Sequence, residues 1–512
     1  MHKWIVVISR LGIVGVAFVT FACGHQQTAI RSGIAIEHVT VVDVVNARTL
    51  TDMAVVVDGT KVVAAQPSSI VVLGNSVVRV DGAGKYLIPG LWDMHVHALG
   101  PGSADESAGL LPLFIANGVT GIRDMWGDLS IAAKMRAAID SGAQAGPRWV
   151  VAGNLVDAPH PWWPDATIAG DSQQGRRVVD SLAAAGSGFI KVYSLLDPPT
   201  YRAILARARE VGLPVAGHVP FSVSARDASA LGQASFEHLF GVMEGCSRSE
   251  ESIRRDRADW LAERAKRAGA HAPSSPPLVF HPPHNPFFDL SIYRRIRDSF
   301  DNAGCTSLLR VLAEHHTWQV PTLVVNRAYE QAWDDSLTSD PRQAYLPTTE
   351  TADWLRLAKA ARASPAADRA LALDYLRKQF VVVSLMAKFG VPILAGTDSG
   401  NPFTFPGFSL HDELGLLVQA GLSPAQALQA ATYEPALFLN ATGSLGTIAP
   451  GKLADLVLLD GNPLQDISNT RRISAVVANG RLFRRSDLDR LLAKAREIAS
   501  RAGQGHEVED GK

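Results

Sequence analysis

Leu91-Trp92-Asp93-Met94-His95-Val96-His97 is a short apolar run that ends in two histidines. Read as a strand, it places residues i and i+2 on one side, so both imidazoles can face a single ion. Working outward, the middle of the chain repeats this pattern of a short apolar run followed by a helical stretch. Further strand candidates lie at 119–124, 148–152, 189–193, 214–218, 234–238, 320–325 and 392–398, with helical stretches such as 201–211 and 368–389 between them. Strands alternating with helices predict an α/β fold with a parallel sheet under outer helices. Eight such units over 85–440 fit a TIM (β/α)8 barrel with insertions.

The two ends read differently. Residues 34–84 hold short β-branched runs with an Asp58-Gly59 turn signal. A similar set returns at 441–482, broken by Asp460-Gly461-Asn462-Pro463 and Asn479-Gly480. Together they predict a small β-sandwich domain built from both chain ends. In the tail, 483–512, a helix over 486–499 carries Leu488, Leu491, Leu492 and Ala495 on one face. The largest insertion, 245–300, combines a charged helical stretch (248–268) with a Pro- and His-rich one (272–287). It reads either as a solvated surface excursion or as a lid.

The chain has 512 residues, 47% of them hydrophobic and 19% charged, which supports a large core and excludes global disorder. Lys plus Arg number 49 against 50 for Asp plus Glu, giving a net charge of -1. That balance excludes a surface built on bulk charge for nucleic acid or anionic membrane. Three cysteines exclude a disulfide scaffold and leave Cys246 and Cys305 as one candidate pair. Lys3 and Arg10 precede an apolar run over 11–22, short for a membrane span, which reads as a signal peptide ending near residue 23. Cys23 is a candidate lipidation site, although Thr20 stands where such sites usually carry Leu. The expected location is periplasmic, or lipid-anchored on the periplasmic face of the membrane. An uncleaved anchor helix is the alternative.

Four more chemically active residues end strand candidates. They are Lys191 in Phe189-Ile190-Lys191-Val192-Tyr193, His218 in Val215-Ala216-Gly217-His218, His238 in Phe236-Glu237-His238, and Asp398 in Ala395-Gly396-Thr397-Asp398. A lone strand histidine is often a packed core residue, and a strand lysine can be one half of an ion pair. Six such residues at one structural address form a constellation, because barrel strands carry the active site at their carboxyl ends. A lysine inside an apolar strand also needs a reason, since burying an unpaired ammonium is costly.

The chain resembles the metal-dependent amidohydrolase superfamily over 34–482, in its binuclear, imidazolonepropionase-like and prolidase-like branch. The motifs are Leu87-Ile88-Pro89-Gly90 running into the 91–97 stretch, Gly118-Val119-Thr120-Gly121-Ile122-Arg123-Asp124, Pro321-Thr322-Leu323, Ala395-Gly396-Thr397-Asp398 and Gly446-Thr447-Ile448-Ala449-Pro450-Gly451-Lys452-Leu453-Ala454-Asp455. The resemblance implies two divalent metal ions, zinc as the expected pair. His95, His97 and Asp398 would bind one, His218 and His238 the other, and a carboxylated Lys191 would bridge them. It also implies hydrolysis of a dipeptide or N-acyl amino acid by a hydroxide shared between the metals, with Asp398 carrying the proton to the leaving nitrogen. Tyr193, on the same strand face as Lys191, and His160, in an aromatic loop, are candidate substrate contacts. His411 fits a supporting or capping role, and His315 and His316 have no ligand spacing. The alternatives are a mononuclear cyclic amidohydrolase or deaminase and a non-catalytic exported binding lipoprotein. The expected partner is a small-molecule or dipeptide substrate, without nucleic acid. A homo-oligomer is left open.

Overall fold

A computed structural model of the chain describes residues 30–99, 104–163, 165–267 and 289–506. The segment expected to be a signal peptide, Cys23 and the Pro- and His-rich stretch at 272–287 lie outside these residues.

Strands Leu91–Val96 and Val119–Asp124 are buried at every residue. That is the pattern of parallel strands covered on both faces. With Arg148–Val151 they form a three-stranded parallel sheet. A second parallel sheet of six runs Thr167–Ile168, Val156–Asp157, Ile190–Val192, Val215–Gly217, Ser235–Glu237 and Trp318–Val320. The helices between strands start at polar caps. Asp128, Asp171, Asp197 and Ser224 each accept a backbone N–H with the side chain, which satisfies donors the first helical turn leaves open. The result is a mixed α/β architecture.

Two strand expectations need correction. The stretch 320–325 is a strand only as Trp318–Val320, and helix Leu323–Glu330 starts immediately afterwards. Thr322 at φ 47° turns the chain, and the Glu413 carboxylate accepts the Val324 N–H at 2.7 Å, so the helix begins against a buried acceptor. The stretch 392–398 forms no strand ladder. It lies between Trp318–Val320 and Leu91–Val96 and bonds to both: Leu394 N–H to Gln319 C=O at 2.9 Å and Met94 N–H to Ala395 C=O at 2.9 Å. Pro392 has no N–H to give, and the Ala395 N–H donates to Ala430 C=O at 2.8 Å, outside the sheets. A ladder cannot run through donors spent elsewhere. On the opposite side, Gly188 N–H donates to Val151 C=O at 2.9 Å, between the two sheets.

Strands from both ends of the chain share one eight-stranded sheet. Its order is Arg481–Arg484, Ile473–Ala478, Leu456–Leu459, Tyr86–Pro89, Ile34–Asp43, Arg48–Asp58 and Lys61–Pro67, with Val78–Asp81 also paired to Ile34–Asp43. Val62 N–H donates to Lys452 C=O at 2.9 Å, and Val62, Val41, Leu87 and Val477 share one apolar core, so the sheet coils back on itself.

The terminal helix is longer than expected, Arg485–His506. In the insertion, the charged stretch is helix Glu250–Arg267. A disulfide joins Cys246 to Cys305 at its base. Beside it, Asp301 N–H donates to Cys246 C=O at 2.8 Å and Arg248 N–H to Ser299 C=O at 3.0 Å. Among the described residues, no helix is long and apolar enough to cross a membrane.

Candidate metal centre

The carboxyl end of strand Leu91–Val96 presents His95 and His97 with ring centroids 5.4 Å apart. The 392–399 segment brings Asp398 to them. It approaches closely because residue 396 is glycine: a Cβ there would sit 2.9 Å from His95 N and 2.6 Å from Val320 Cγ1. Asp398 (φ 58°) and His238 (φ 61°) both adopt the left-handed conformation, uncommon for non-glycine residues and concentrated at functional sites.

Asp398 Oδ1 lies 3.0 Å from His97 Nε2 and 3.3 Å from His95 Nε2, and Oδ2 lies 3.7 Å from His238 Nδ1. Ligand atoms of His95, His238 and Asp398 fall within 4.8 Å of one another. His218 adjoins this group, its ring 5.1 Å from that of His238. Lys191 is buried on the neighbouring strand, where Gly217 makes room for its stem: a Cβ on Gly217 would stand 2.9 Å from Lys191 Cδ.

Behind these groups lies a buried polar layer. Glu237 Oε2 accepts from His95 Nδ1 at 2.7 Å, and Arg123 Nη2 donates to Glu237 Oε1 at 2.8 Å. Ser235 donates to the same carboxylate at 2.6 Å, and Arg123 Nε to Met94 C=O at 2.6 Å. With Nδ1–H bound to a carboxylate, His95 directs Nε2 towards Asp398. The Thr322 hydroxyl donates to Pro321 C=O, so it accepts from His238 Nδ1–H, at 2.8 Å. Ser194 Oγ holds His218 Nδ1 at 2.7 Å. Asp93 ties the two ligand segments together, accepting from Thr397 N–H at 3.0 Å and from its hydroxyl at 2.7 Å.

Burial sets the protonation of the cluster. It holds His218 well below the usual imidazole range and His238 at about 3, and the nearby cationic groups act in the same direction. Both rings are neutral at pH 7. Burial opposes the charge on Asp398, yet the surrounding imidazoles outweigh it and keep the carboxyl well below its ordinary value. Burial lowers the Lys191 ammonium to about 8. The neutral His218 and His238 rings beside an ionised Asp398 suit a divalent cation. Among the described residues, the buried His95 Nε2, His97 Nδ1 and Asp398 Oδ1 atoms also lack hydrogen-bond partners, so this donor set fits a metal ion.

The structure thus gathers His95, His97, His238 and Asp398, with His218 and Lys191 alongside. The Tyr193 ring lies 4.1 Å from that of His218, and its hydroxyl accepts from Trp163 Nε1 at 3.0 Å. His160 is exposed at φ 60° and is not in the ligand cluster. His411 is structural, bonding Thr470 at 2.9 Å and Asn117 C=O at 3.0 Å. Sequence reading missed Arg123, Glu237, Ser194 and Thr322. The available signal was a charged residue inside an apolar strand, which Lys191 received and Arg123 and Glu237 did not.

Residues 305–483 match the sequence model of the Amidohydrolase family. The similarity to an amidohydrolase family domain covers that part of the chain. The imidazolonepropionase of Syntrophobacter fumaroxidans is 38% identical over 87 residues, 17% of this chain and 20% of that protein. The match therefore spans about a fifth of the curated relative's length. The solved bottromycin amidohydrolase is similar at TM-score 0.67 and 24% identity, covering 91% of this chain and 90% of that one. A Xaa-Pro dipeptidase solved with methionine in its active site is similar at TM-score 0.60 and 20% identity, covering 88% of this chain and 99% of that one. The likeness in fold to these two structures thus extends well beyond the 305–483 match.

Proposed function

We propose that this amidohydrolase-domain chain is an exported metal-dependent hydrolase that cleaves a carbon–nitrogen amide bond, in a dipeptide or an N-acyl amino acid. One observation carries the reading: an ionised Asp398 lies within 3.7 Å of three imidazoles, one of which is held neutral by burial. In this reading Leu91–Val96, Val119–Asp124, Arg148–Val151, Ile190–Val192, Val215–Gly217, Ser235–Glu237, Trp318–Val320 and the 392–399 segment form one (β/α)8 barrel with the cluster at its mouth, and 34–84 and 441–482 form the accompanying β unit. His95, His97 and Asp398 would hold one divalent ion, zinc as the expected one. His218, His238 and a carboxylated Lys191 would hold a second. A buried lysine amine held at about 8 is partly neutral near pH 7, the form that reacts with carbon dioxide.

Bound divalent ions would supply Lewis-acid activation of water and of the amide carbonyl. The chain supplies the rest. Asp398 takes up a proton on its carboxylate and returns it to the leaving nitrogen. Glu237 holds Nδ1 of His95 and Thr322 holds Nδ1 of His238, which leaves Nε2 of each ring for an ion. Tyr193 offers a substrate contact beside His218. A dipeptide-cleaving protein among the solved structures of this fold supports the substrate class.

A mononuclear centre is the second reading. It is favoured by the compactness of one group, His95, His238 and Asp398, as the set close enough to hold a single ion among the described residues. Elemental analysis of reconstituted mature protein separates the two, about two ions per chain against one. A panel of Xaa-Pro, Xaa-Arg and N-acyl amino acid substrates tests the reaction. Turnover of none of them by fully metal-loaded protein would discard the reading.

A further inference from the structure

Asp398 reaches three imidazoles within 3.7 Å from a backbone held at φ 58°. A non-glycine residue keeps that conformation only where its surroundings offset the cost. On the amide side the bonds are those to the histidine strand and its neighbour. Asp398 N–H donates to His95 C=O at 2.7 Å, and Ser399 N–H donates to the Thr397 hydroxyl at 3.1 Å. On the carbonyl side they come from the loop that follows.

That loop winds back onto the Asp398 carbonyl. Asn401 N–H donates to it at 3.3 Å, closing a turn over 398–401. Asn401 Nδ2 donates to the same oxygen at 3.1 Å, so the side chain repeats the bond of its own backbone at a shorter distance. The amide is fixed in this sense because Asn401 Oδ1 accepts from the Tyr329 hydroxyl at 3.2 Å, and a flipped amide would lose both bonds. Thr404, fully buried, closes the next turn. Its N–H and its hydroxyl both donate to Asn401 C=O, at 3.1 Å and 2.6 Å, and the hydroxyl also lies 3.2 Å from the Asp398 carbonyl oxygen.

Tyr329 stands near the end of helix Leu323–Glu330, and that helix starts just after Thr322, which holds His238. Asn401 therefore joins the segment carrying Asp398 to the helix whose start sets His238. Were residue 398 to relax to a negative φ, its Cβ would turn and carry the carboxylate away from the rings.

We propose that Asn401 is a positioning residue of the candidate metal centre. Its amide holds residue 398 in the left-handed conformation from which the carboxylate reaches His95, His97 and His238, and Thr404 holds Asn401 in place. This rests on the metal-centre reading above, but not on its substrate or its number of ions.

The test is titration of the full chain with cobalt(II), by chelator competition and by absorption spectra, in the parent, Asn401→Leu and Thr404→Val. Leucine and valine keep the approximate shapes of the native side chains and remove the donors. The expected result is cobalt bound about tenfold more weakly in Asn401→Leu and about threefold more weakly in Thr404→Val. The d–d bands of the bound ion should shift in both, because a displaced carboxylate changes its coordination, whereas a general loss of stability would leave the bands in place. Two variants guard against a single folding failure. Affinities within about twofold of the parent in both variants, or weaker binding with unshifted bands, would overturn the proposal while the metal centre stands. A parent that takes up no cobalt would discard the metal-centre reading itself, and this proposal with it.

Discussion

Glu237 and Arg123 are both fully buried and lie directly behind the candidate ligand His95. Burial opposes the Glu237 charge, but Arg123 and His95 outweigh it and keep the carboxyl below its ordinary range. Glu237→Gln leaves a neutral acceptor on His95 and should weaken metal affinity about 10- to 100-fold, read by chelator competition. Glu237→Ala removes the partner of a buried guanidinium and should cost about 3–5 kcal/mol in urea unfolding of the metal-free chain. Equal metal affinity in Glu237→Gln and the parent would show that the carboxylate does not set the His95 tautomer. Glu413 behaves in the opposite sense. Burial raises its carboxyl from 4.5 to about 8, against the backbone donors of Val324 and Leu323 that favour the charge. Below about pH 4.5 both folded and unfolded chains hold that proton. Between pH 4.5 and 8 the unfolded chain releases it and the folded chain does not, so this group lowers stability as pH rises. Glu413→Gln should therefore reduce the loss of stability between pH 5 and 8.5, by about 3 kcal/mol, in parallel denaturant titrations. An unchanged pH slope would rule out Glu413 as its source. The residue types of the cluster were legible as six titratable groups ending apolar runs. The partners behind them were not, because Glu237 meets His95 across 142 positions of sequence and no local pattern records that contact.

At the scale of elements, the 392–399 segment decides whether the cluster exists. It carries Asp398 but forms no ladder, being held by two backbone bonds to Gln319, by several to the 91–97 stretch and by the Asp93–Thr397 pair. Gly396 permits the close approach, since a Cβ there would collide with His95 backbone. Gly396→Ala should push Asp398 away from the imidazoles and abolish stoichiometric metal binding, with a milder effect on the thermal melt. Full metal content in that variant would refute the close-approach argument. The insertion is pinned at its base by Cys246–Cys305, across a separation of 59 residues. By chain entropy a cross-link of that length contributes about 4 kcal/mol. The Cys246→Ser, Cys305→Ser double variant should lose a comparable amount in denaturant unfolding, and reductant should have the same effect on the parent. No shift with reductant would show that the pair does not stabilise the fold. The eighth strand was expected from an apolar run, and its failure to pair comes from Pro392 and from the Ala395 N–H bound to Ala430. Neither is visible to a reading based on alternation alone.

Over the whole molecule, the candidate ligands come from 95 to 398 in the chain and converge only when the parallel strands align. A cation bound to this convergence exists in the folded state alone, so metal should stabilise the fold by mass action. At a free concentration about 100-fold above the dissociation constant the gain is about 2.7 kcal/mol, and chelator should lower the melting temperature correspondingly. A melt indifferent to both metal and chelator would remove the metal from the account. The sheet that unites strands 34–43 and 473–478 shows the same dependence on long-range contact.

The amino-acid sequence by itself determined the alternation of strands and helices through most of the middle of the chain, and it offered the candidate ligand side chains that end those apolar runs. Hydrophobic period and residue chemistry are local properties, and a linear reading captures them. Tertiary structure alone decided that Asp398 reaches three imidazoles, that Arg123 and Glu237 stand behind His95, and that Cys246 meets Cys305. Those contacts join segments that only packing and loop closure bring together, and their energies depend on distances that no stretch of sequence contains.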